Sequence, residues 1–406
     1  MKLNKKRLYS TLPCLENSKA CAYVNLDNLC ENYRNLKSLI GSATPICVMK
    51  ADAYGHGAGD CAKALYLEGC SFFAVSSIEE AMDLRVALST VEKKNNRADI
   101  LILGYTSPAF VKHLYEYDIT QAGVSYDYCR ELCLAAESCG VRVKIHAALD
   151  TGMNRIGFPA QNDADISTTV DNICLISSYE HLKLTGIFSH FSKADFPYCE
   201  ESLPDSYTNL QGERFNKVIT ELKNRDVDTG ICHICNSAGI LHFKDYHHDA
   251  VRLGIALYGY EPSEYFDFPL LPVLELETMI SHIHTLKAGD PLGYGGEFVA
   301  DTDRVIATLP IGYADGYLRA YRGSEVTIYA GGEAQRATLV GRICMDQCMV
   351  DITGVRDARV GDRVIMFGER QDSLLGLADK SKSNWYEALC LISSRIPRVY
   401  LRDEVK

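Results

Sequence analysis

Up to about residue 260, short apolar runs alternate with longer amphipathic ones. Ala22–Leu26 leads into a segment with Asp27 as its predicted N-cap, in which Leu29, Tyr33, Leu36 and Ile40 recur near a 3.6-residue period. Eight strand-like runs follow: Ile46–Lys50, Phe72–Ser76, Ile100–Gly104, Thr120–Val124, Val143–Leu149, Leu184–His190, Ile231–Asn236 and Ala250–Ile255. Most are separated by helices with readable starts. Ser77 and Glu80 have the spacing of a capping box, and Ser107-Pro108 supplies an N-cap with proline at the first helical position. Near-continuous apolar strands between amphipathic helices predict a parallel sheet covered on its outer face. Eight such units fit a closed (β/α)8 TIM barrel. An open doubly wound sheet is the alternative, but no G-x-G-x-x-G follows the first strand.

The pattern changes after the aromatic, acidic stretch Glu261–Phe268 and the prolines at 269 and 272, which read as a linker. Thr278–Leu286, Arg304–Pro310, Glu325–Tyr329, Ala337–Gly341 and Arg363–Phe367 are β-branched or alternating, with Gly and Asp turns between them. They predict a smaller, mainly β C-terminal domain that closes near Trp385–Ile392. The expected organisation is an N-terminal extension over 1–20, a barrel over 21–268 and a β domain over 269–406.

A chain of 406 residues has room for two to three domains, and 47% hydrophobic with 23% charged residues excludes a disordered or fibrous protein. The net charge of −11 argues against a nucleic-acid or anionic-membrane partner. No run reaches the roughly 18 apolar residues of a membrane span. The start, Met1–Arg7, is basic but no apolar stretch follows it, so a leader-free cytoplasmic protein is expected. The 16 cysteines, several inside apolar runs (Cys47, Cys70, Cys174), are expected to be buried free thiols in a reducing compartment.

Barrel chemistry belongs at the C-terminal strand ends. The first ends at Lys50, the fifth runs into Asp150-Thr151-Gly152-Met153-Asn154-Arg155, the sixth ends at His190, the seventh at Asn236-Ser237 and the eighth at Arg252–Ile255. A lysine at the end of an apolar strand is costly to bury as a cation, and a neutral amine forms Schiff bases with carbonyl compounds. Its bland alternative is a side chain that snorkels to solvent. Ser237 and the Gly254/Ile255 backbone follow strands seven and eight, where barrels commonly hold a phosphate on loop N–H groups. A carbonyl-reactive lysine facing a phosphate cradle points to pyridoxal 5'-phosphate.

In Val48–Gly57, Leu149–Gly157, Ser189–Phe191, Asn236–Ala238, Val251–Gly259, Leu292–Gly295, Ile311–Gly316, Gly341–Gln347 and Tyr386-Glu387, the chain resembles the alanine racemase family, fold-type III pyridoxal-phosphate enzymes. These segments run in order along nearly the whole chain, apart from the first twenty residues. The resemblance implies that Lys50 holds the cofactor and is the base for one face of the substrate, and that Tyr294, from a partner subunit, is the base for the other. It further implies Arg252 at the pyridine nitrogen and His190 beside the ring. Tyr54, Asn236, Ser237, Gly254, Ile255 and Tyr386 fall to the cofactor and its phosphate. Arg155 and the Met345 backbone fall to the substrate carboxylate, and Asp346 and Tyr313 to the entrance. A homodimer with a shared site, an amino-acid substrate and D-alanine supply for peptidoglycan follow from the same likeness.

Chemistry supports the pairing independently: exchange of an α-proton between opposite faces of a planar centre needs a base on each. Arginine does not give up its proton, so a ring nitrogen facing it stays unprotonated and the cofactor becomes a weaker electron sink. One position departs from the family, since many members carry a lysine, often carbamylated, where this chain has Ala148. The alternatives are a serine or broad-specificity racemase, a decarboxylase of the same fold and a non-catalytic cofactor carrier. Tyr386 at the pocket wall favours alanine over serine, and the β domain bearing Tyr294 speaks against a carrier. Cys232-His233-Ile234-Cys235 with His247 and His248 invites a zinc or redox reading. A single cysteine pair on one predicted strand does not make a metal site, and no metal is expected. Arg336–Arg342, Arg395 and Arg398 are read as solvated or dimer-facing charges.

Overall fold

The computed structural model describes residues 18–93, 96–195, 206–261 and 268–402. The basic start Met1–Arg7 and most of the linker stretch Glu261–Phe268 lie outside these residues. The chain forms two compact units, Leu29–Leu271 and the segments up to Asn28 and from Pro272 onward.

In chain order, β1 (Ala20–Asn25) precedes eight parallel strands of the Leu29–Leu271 unit: β2 (Thr44–Val48), β3 (Phe72–Val75), β4 (Asp99–Ile102), β5 (Thr120–Gly123), β6 (Val143–Asp150), β7 (Leu182–Phe188), β8 (Ile231–His233) and β9 (Ala250–Leu253). Their order is β9-β2-β3-β4-β5-β6-β7-β8, all neighbours parallel. The Asp249 N–H donates to the Cys232 carbonyl (3.1 Å) and the Arg252 N–H to that of Cys235 (3.0 Å), which closes the ring between β8 and β9. Each strand-like run predicted for the barrel overlaps one of these strands, although Lys50, His190 and Asn236, read as strand ends, lie just beyond β2, β7 and β8. Helices such as Ile78–Ser89, Tyr126–Ser138, Asp163–Ser177 and Tyr207–Lys223 lie between successive strands, each started by a Ser or Asn side chain that accepts a backbone N–H of the first turn.

Two predicted caps differ. Asn25, not Asp27, caps helix Leu26–Leu39, its Oδ1 accepting from the N–H groups of Asp27 and Asn28 (both 3.0 Å). Ser77 accepts from the Glu80 N–H (3.3 Å), but the Glu80 carboxylate reaches Ser76 instead of completing the box. Ser107 and Pro108 start a 3-10 turn that continues into helix Val111–Glu116.

The other unit is built on a nine-stranded sheet that includes β1 and, further along the chain, β10 (Leu274–Met279), β11 (His282–Leu286), β12 (Arg304–Leu309), β13 (Glu325–Ala330), β14 (Glu333–Val340), β15 (Cys348–Asp351), β16 (Arg363–Phe367) and β17 (Arg398–Leu401). Its order is β11-β12-β15-β14-β13-β16-β10-β1-β17. This corrects the assignment of Ala22–Leu26 to the barrel: β1 pairs antiparallel with β10 and parallel with β17. Five of its six residues are buried, so it reads like a barrel strand even though it is not one. The run Thr278–Leu286 is in fact two strands interrupted at Ile280 and Ser281. Arg398 is not a solvated charge; its guanidinium donates to the carbonyls of Ser393 (2.6 Å), Ile396 (2.7 Å) and Ile392 (2.8 Å). Thirteen described cysteines are free thiols; Cys21 on β1 is the exception, being disulfide-bonded.

Candidate functional site

Lys50 follows β2 by one residue, and the strand end is fixed from two sides. The Met49 N–H donates to the Ala74 carbonyl and Tyr258 Oη to that of Val48, both at 2.7 Å. The next four residues, none of them glycine, are left-handed: Ala51, Asp52, Ala53 and Tyr54 have φ of 52°, 52°, 56° and 53°. Each such residue costs roughly 1–2 kcal/mol, so the turn persists only because its surroundings over-determine it. Within it the N–H groups of Ala53, Gly55 and Gly57 donate to the carbonyls of Met49, Ala51 and Asp52 at 2.8–2.9 Å. Fully buried His56 bonds the carbonyls of Ala53 and Tyr54 through Nδ1, both at 2.9 Å.

The turn carries Tyr54 to the ends of β8 and β9. A Cβ placed on Gly254 would lie 3.2 Å from Tyr54 Oη and 3.3 Å from Ser237 Oγ, so two hydroxyls and the bare glycine face one space. Ser237 Oγ accepts the N–H groups of Gly254 (3.1 Å) and Ala256 (3.2 Å), at the start of the 3-10 turn Ile255–Tyr258. Hydroxyls and backbone N–H groups around a glycine suit a phosphate. Asn236 has another task, its Oδ1 capping helix Ser237–His242 by accepting from the Gly239 N–H (2.9 Å).

Arg252, on β9, is 3% exposed. Its Nη2 donates to the carbonyls of Ser189 (2.7 Å) and Ile234 (2.9 Å) and to His190 Nδ1 (3.0 Å), and its Nη1 to His233 Nδ1 (2.6 Å). Burial lowers its pKa to about 10, which leaves it charged at neutrality. Desolvation and the Arg252 charge hold His190 and His233 well below the usual histidine range, so both rings are neutral. Arginine only donates, so both rings accept at Nδ1 and carry their proton on Nε2. His233 Nε2 then donates to His146 Nδ1 (3.1 Å), extending the chain to a third imidazole. His146 sits opposite Gly186 on β7, where a Cβ would come within 2.5 Å of its ring.

Arg155 is exposed beyond β6, and its charge contributes to depressing His190. Among the described residues no carboxylate forms an ion pair with Arg155 or Arg252. Ala148 packs with Ala122 and Phe188, against Leu103 and Val124, and brings no negative charge there.

The sheet unit carries the remaining predicted residues. Tyr294 stands 70% exposed in the turn Tyr294–Gly296. The Tyr313 N–H donates to the Cys344 carbonyl (3.1 Å) and the Ala314 N–H to that of Met345 (2.9 Å), which joins the loops bearing Tyr313, Met345 and Asp346. Gly312 allows this approach, since a Cβ there would lie 2.4 Å from the Cys344 oxygen. Buried Asp315 accepts from Lys19 Nζ (2.7 Å), and Arg395 bonds Asp346 (2.8 Å). Tyr386 lies on helix Trp385–Cys390, a separate segment.

The Cys232–Cys235 motif divides its groups. His233 serves Arg252, while Cys235 Sγ donates to the Tyr246 carbonyl (3.2 Å) and His247 Nε2 to that of Ile240 (3.1 Å). No three His, Cys, Asp or Glu side chains among the described residues are grouped to hold a metal ion. Sequence reasoning had no role for His146, which is visible only as a polar residue inside an apolar strand, and weighed His233 only as part of a zinc or redox motif.

The model for the alanine racemase N-terminal domain matches residues 24–262, and that for the alanine racemase C-terminal domain matches residues 273–400. An alanine racemase of Clostridium novyi is 40% identical over 389 residues, 94% of this chain and 95% of that protein. The solved alanine racemase of Clostridium difficile 630 superposes with a TM-score of 0.84 at 34% identity, covering 95% of this chain and 96% of that one. The alanine racemase of Bartonella henselae, solved with covalently bound pyridoxal phosphate, superposes with a TM-score of 0.80 at 28% identity, covering 95% of this chain and 100% of that one.

Proposed function

The chain belongs to the alanine racemase family, whose members are isomerases, and from that premise we propose that it interconverts L- and D-alanine with pyridoxal phosphate by a two-base mechanism. The observation that carries this reading is the convergence of Lys50, Tyr54 Oη, Ser237 Oγ, the space at Gly254 and the buried Arg252 at the strand ends of one barrel. These groups fit the cofactor: a carbonyl-reactive amine, a hydroxyl and N–H cradle for the phosphate, and a donor-only guanidinium for the ring nitrogen. Lys50, Tyr54, Ser237, Gly254 and Ile255 would hold it, with Tyr386 and Asn236 completing the set the family likeness implies. When bound, pyridoxal phosphate supplies the electron sink that acidifies the substrate α-carbon.

The protein's own groups move the proton. Lys50 Nζ takes or returns it on one face, and Tyr294 Oη of a second copy does so on the other, so the site is complete only in a homodimer. Arg252, a group that only donates, would face the ring nitrogen and leave it unprotonated, so the electron sink would be a weak one. Neutral His190 accepts from Arg252 and holds it in place. Arg155 and the Met345 backbone orient the substrate carboxylate, while Tyr313 and Asp346 line the entrance. D-alanine for peptidoglycan, made in the cytoplasm, is the corresponding role; no helix among the described residues is long and apolar enough to cross a membrane.

The test is isotope exchange by the cofactor-loaded protein in deuterium oxide, with L-alanine and L-serine offered separately. Deuterated D-alanine forming much faster than D-serine is the expected result. Faster D-serine overturns the substrate, deuterium confined to the L-enantiomer overturns the second base, and no exchange overturns the reaction. Tyr294→Phe should retain cofactor and lose most turnover.

A further inference from the structure

We infer that Glu80 is a positioning residue for Lys50, its carboxylate pinning the first residue of the left-handed turn that follows the lysine; the inference rests on the cofactor-holding role proposed for Lys50. Glu80 lies in the first turn of helix Ile78–Ser89, where it reads as a capping residue. Its side chain does something else. Oε1 accepts the Ala51 N–H at 2.7 Å, and Oε2 accepts the Ser76 N–H at 2.8 Å and Ser76 Oγ at 2.9 Å. One carboxylate thus ties the end of β3 to the residue next to Lys50.

That tie falls where the backbone most needs one. Lys50 is the last residue before φ turns positive, and the four that follow are all strained. The later part of the turn is secured by its own ring of bonds: Asp52 Oδ1 accepts the Ala58 N–H (2.7 Å), the Asp52 carbonyl accepts from Gly57 (2.9 Å), and buried His56 holds Ala53 and Tyr54. The Ala51 N–H, at the entry to the turn, finds its acceptor in Glu80. The ionised acceptor makes this a charge-assisted bond, stronger than an amide–amide one. Without it, the peptide between Lys50 and Ala51 is free to rotate toward ordinary right-handed geometry, which swings the Lys50 side chain away from its place. A misplacement of about 1 Å at a reacting group can cost a hundredfold in rate.

The experiment compares Glu80→Ala, Glu80→Asp and Glu80→Gln with wild type, all as the cofactor-loaded protein. Asp keeps the charge at the helix start but is one methylene too short to reach Ala51. Gln keeps an oxygen that can accept from it. Amide exchange across residues 50–57, read by mass spectrometry, should speed up about tenfold in the Ala and Asp variants, the factor expected for loss of one hydrogen bond. Their kcat should fall about tenfold or more, with KM for alanine within about threefold of wild type. Gln, with one neutral acceptor oxygen and an Nε2 that cannot accept from Ser76, should fall between Ala and wild type in both. Unchanged exchange, an unchanged kcat, or a Gln variant as impaired as Ala overturns the inference. Borohydride reduction of wild type with pyridoxal phosphate, followed by peptide mapping, separates the two failures. Label away from Lys50 overturns the reading of Lys50 and this inference together, whereas label on Lys50 with unchanged Ala and Asp variants overturns the inference alone.

Discussion

The buried imidazoles behind Arg252 make the fold acid-sensitive, and one substitution isolates the effect. His146 is 2% exposed, and burial, reinforced by the charges of Lys144 and Arg252, lowers its pKa from 6.5 to about 3. In the unfolded chain the ring titrates near 6.5, so between these values the unfolded state binds more protons than the folded one. The stability that depends on the neutral ring is complete above about pH 7 and is lost as the pH falls through 6.5 toward 3. At pH 5 the unfolded ring is about 1.5 units below its midpoint, and at about 1.36 kcal/mol per unit this amounts to about 2 kcal/mol. His233 is depressed in the same direction and adds to the loss. His146→Gln leaves an oxygen to accept from His233 Nε2 but cannot titrate. Urea denaturation of both proteins at pH 7.5 and pH 5.0 should show wild type losing about 2 kcal/mol more than the variant over that interval. Equal losses would refute the argument, because they would mean that His146 is not held neutral by its site.

The sheet unit responds in the opposite direction. Arg363 Nη2 contacts Glu275 (2.7 Å) and Glu277, and burial together with Glu277 raises the Glu275 pKa to about 8. A raised carboxyl pKa means a proton held by the native state, so stability falls as the pH rises from about 4.5 through 8. Thermal midpoints between pH 6 and pH 9 should decline less in Glu275→Gln than in wild type, and parallel declines would contradict the assignment. Gly186→Ala puts a Cβ within 2.5 Å of the His146 ring and should destabilise by about 1–3 kcal/mol; an unchanged denaturation midpoint would show that the strand moves aside freely. Because Ala148 offers Arg155 no negative charge, added chloride should lower the KM for alanine, and a KM indifferent to anions would remove that expectation.

Much of the barrel can be read along the chain because each parallel strand is buried on both faces and therefore appears as an apolar run bounded by helix starts. Residues at strand ends, such as Lys50, His190, Ser237 and Arg252, are found by the same punctuation. The same logic misplaces β1: Ala20–Asn25 is as apolar as a barrel strand, and only its hydrogen bonds to β10 and β17 show where it belongs. β15 and β17 escape because each has four residues, too few to display alternation. The left-handed turn after Lys50 has no local signal at all. Glycine usually marks positive φ, yet the four residues here are Ala, Asp, Ala and Tyr, and their conformation is imposed by bonds from Glu80, His56 and Ala58. His233 shows a different limit, since a Cys-His-Ile-Cys string suggests a metal until β8 and β9 close the ring and place Arg252 beside it.

The electrostatics of Arg252 explain why imidazoles and carbonyls surround it where a carboxylate would be the simpler partner. Removing a guanidinium from water is expensive, and an acidic neighbour would offset that cost while cancelling the charge. Carbonyl oxygens from Ser189 and Ile234, and Nδ1 of His190 and His233, stabilise the cation with dipoles alone. The orientation is fixed and the positive charge remains. His190 and His233 can play this part only while neutral, which their burial and the Arg252 charge itself ensure. The arrangement is therefore self-consistent: the arginine keeps its neighbours unprotonated, and they leave its charge available to an anionic guest. In the function proposed above, exposed Arg155 and the cradle at Gly254 and Ser237 would extend the same preference to the substrate carboxylate and the cofactor phosphate.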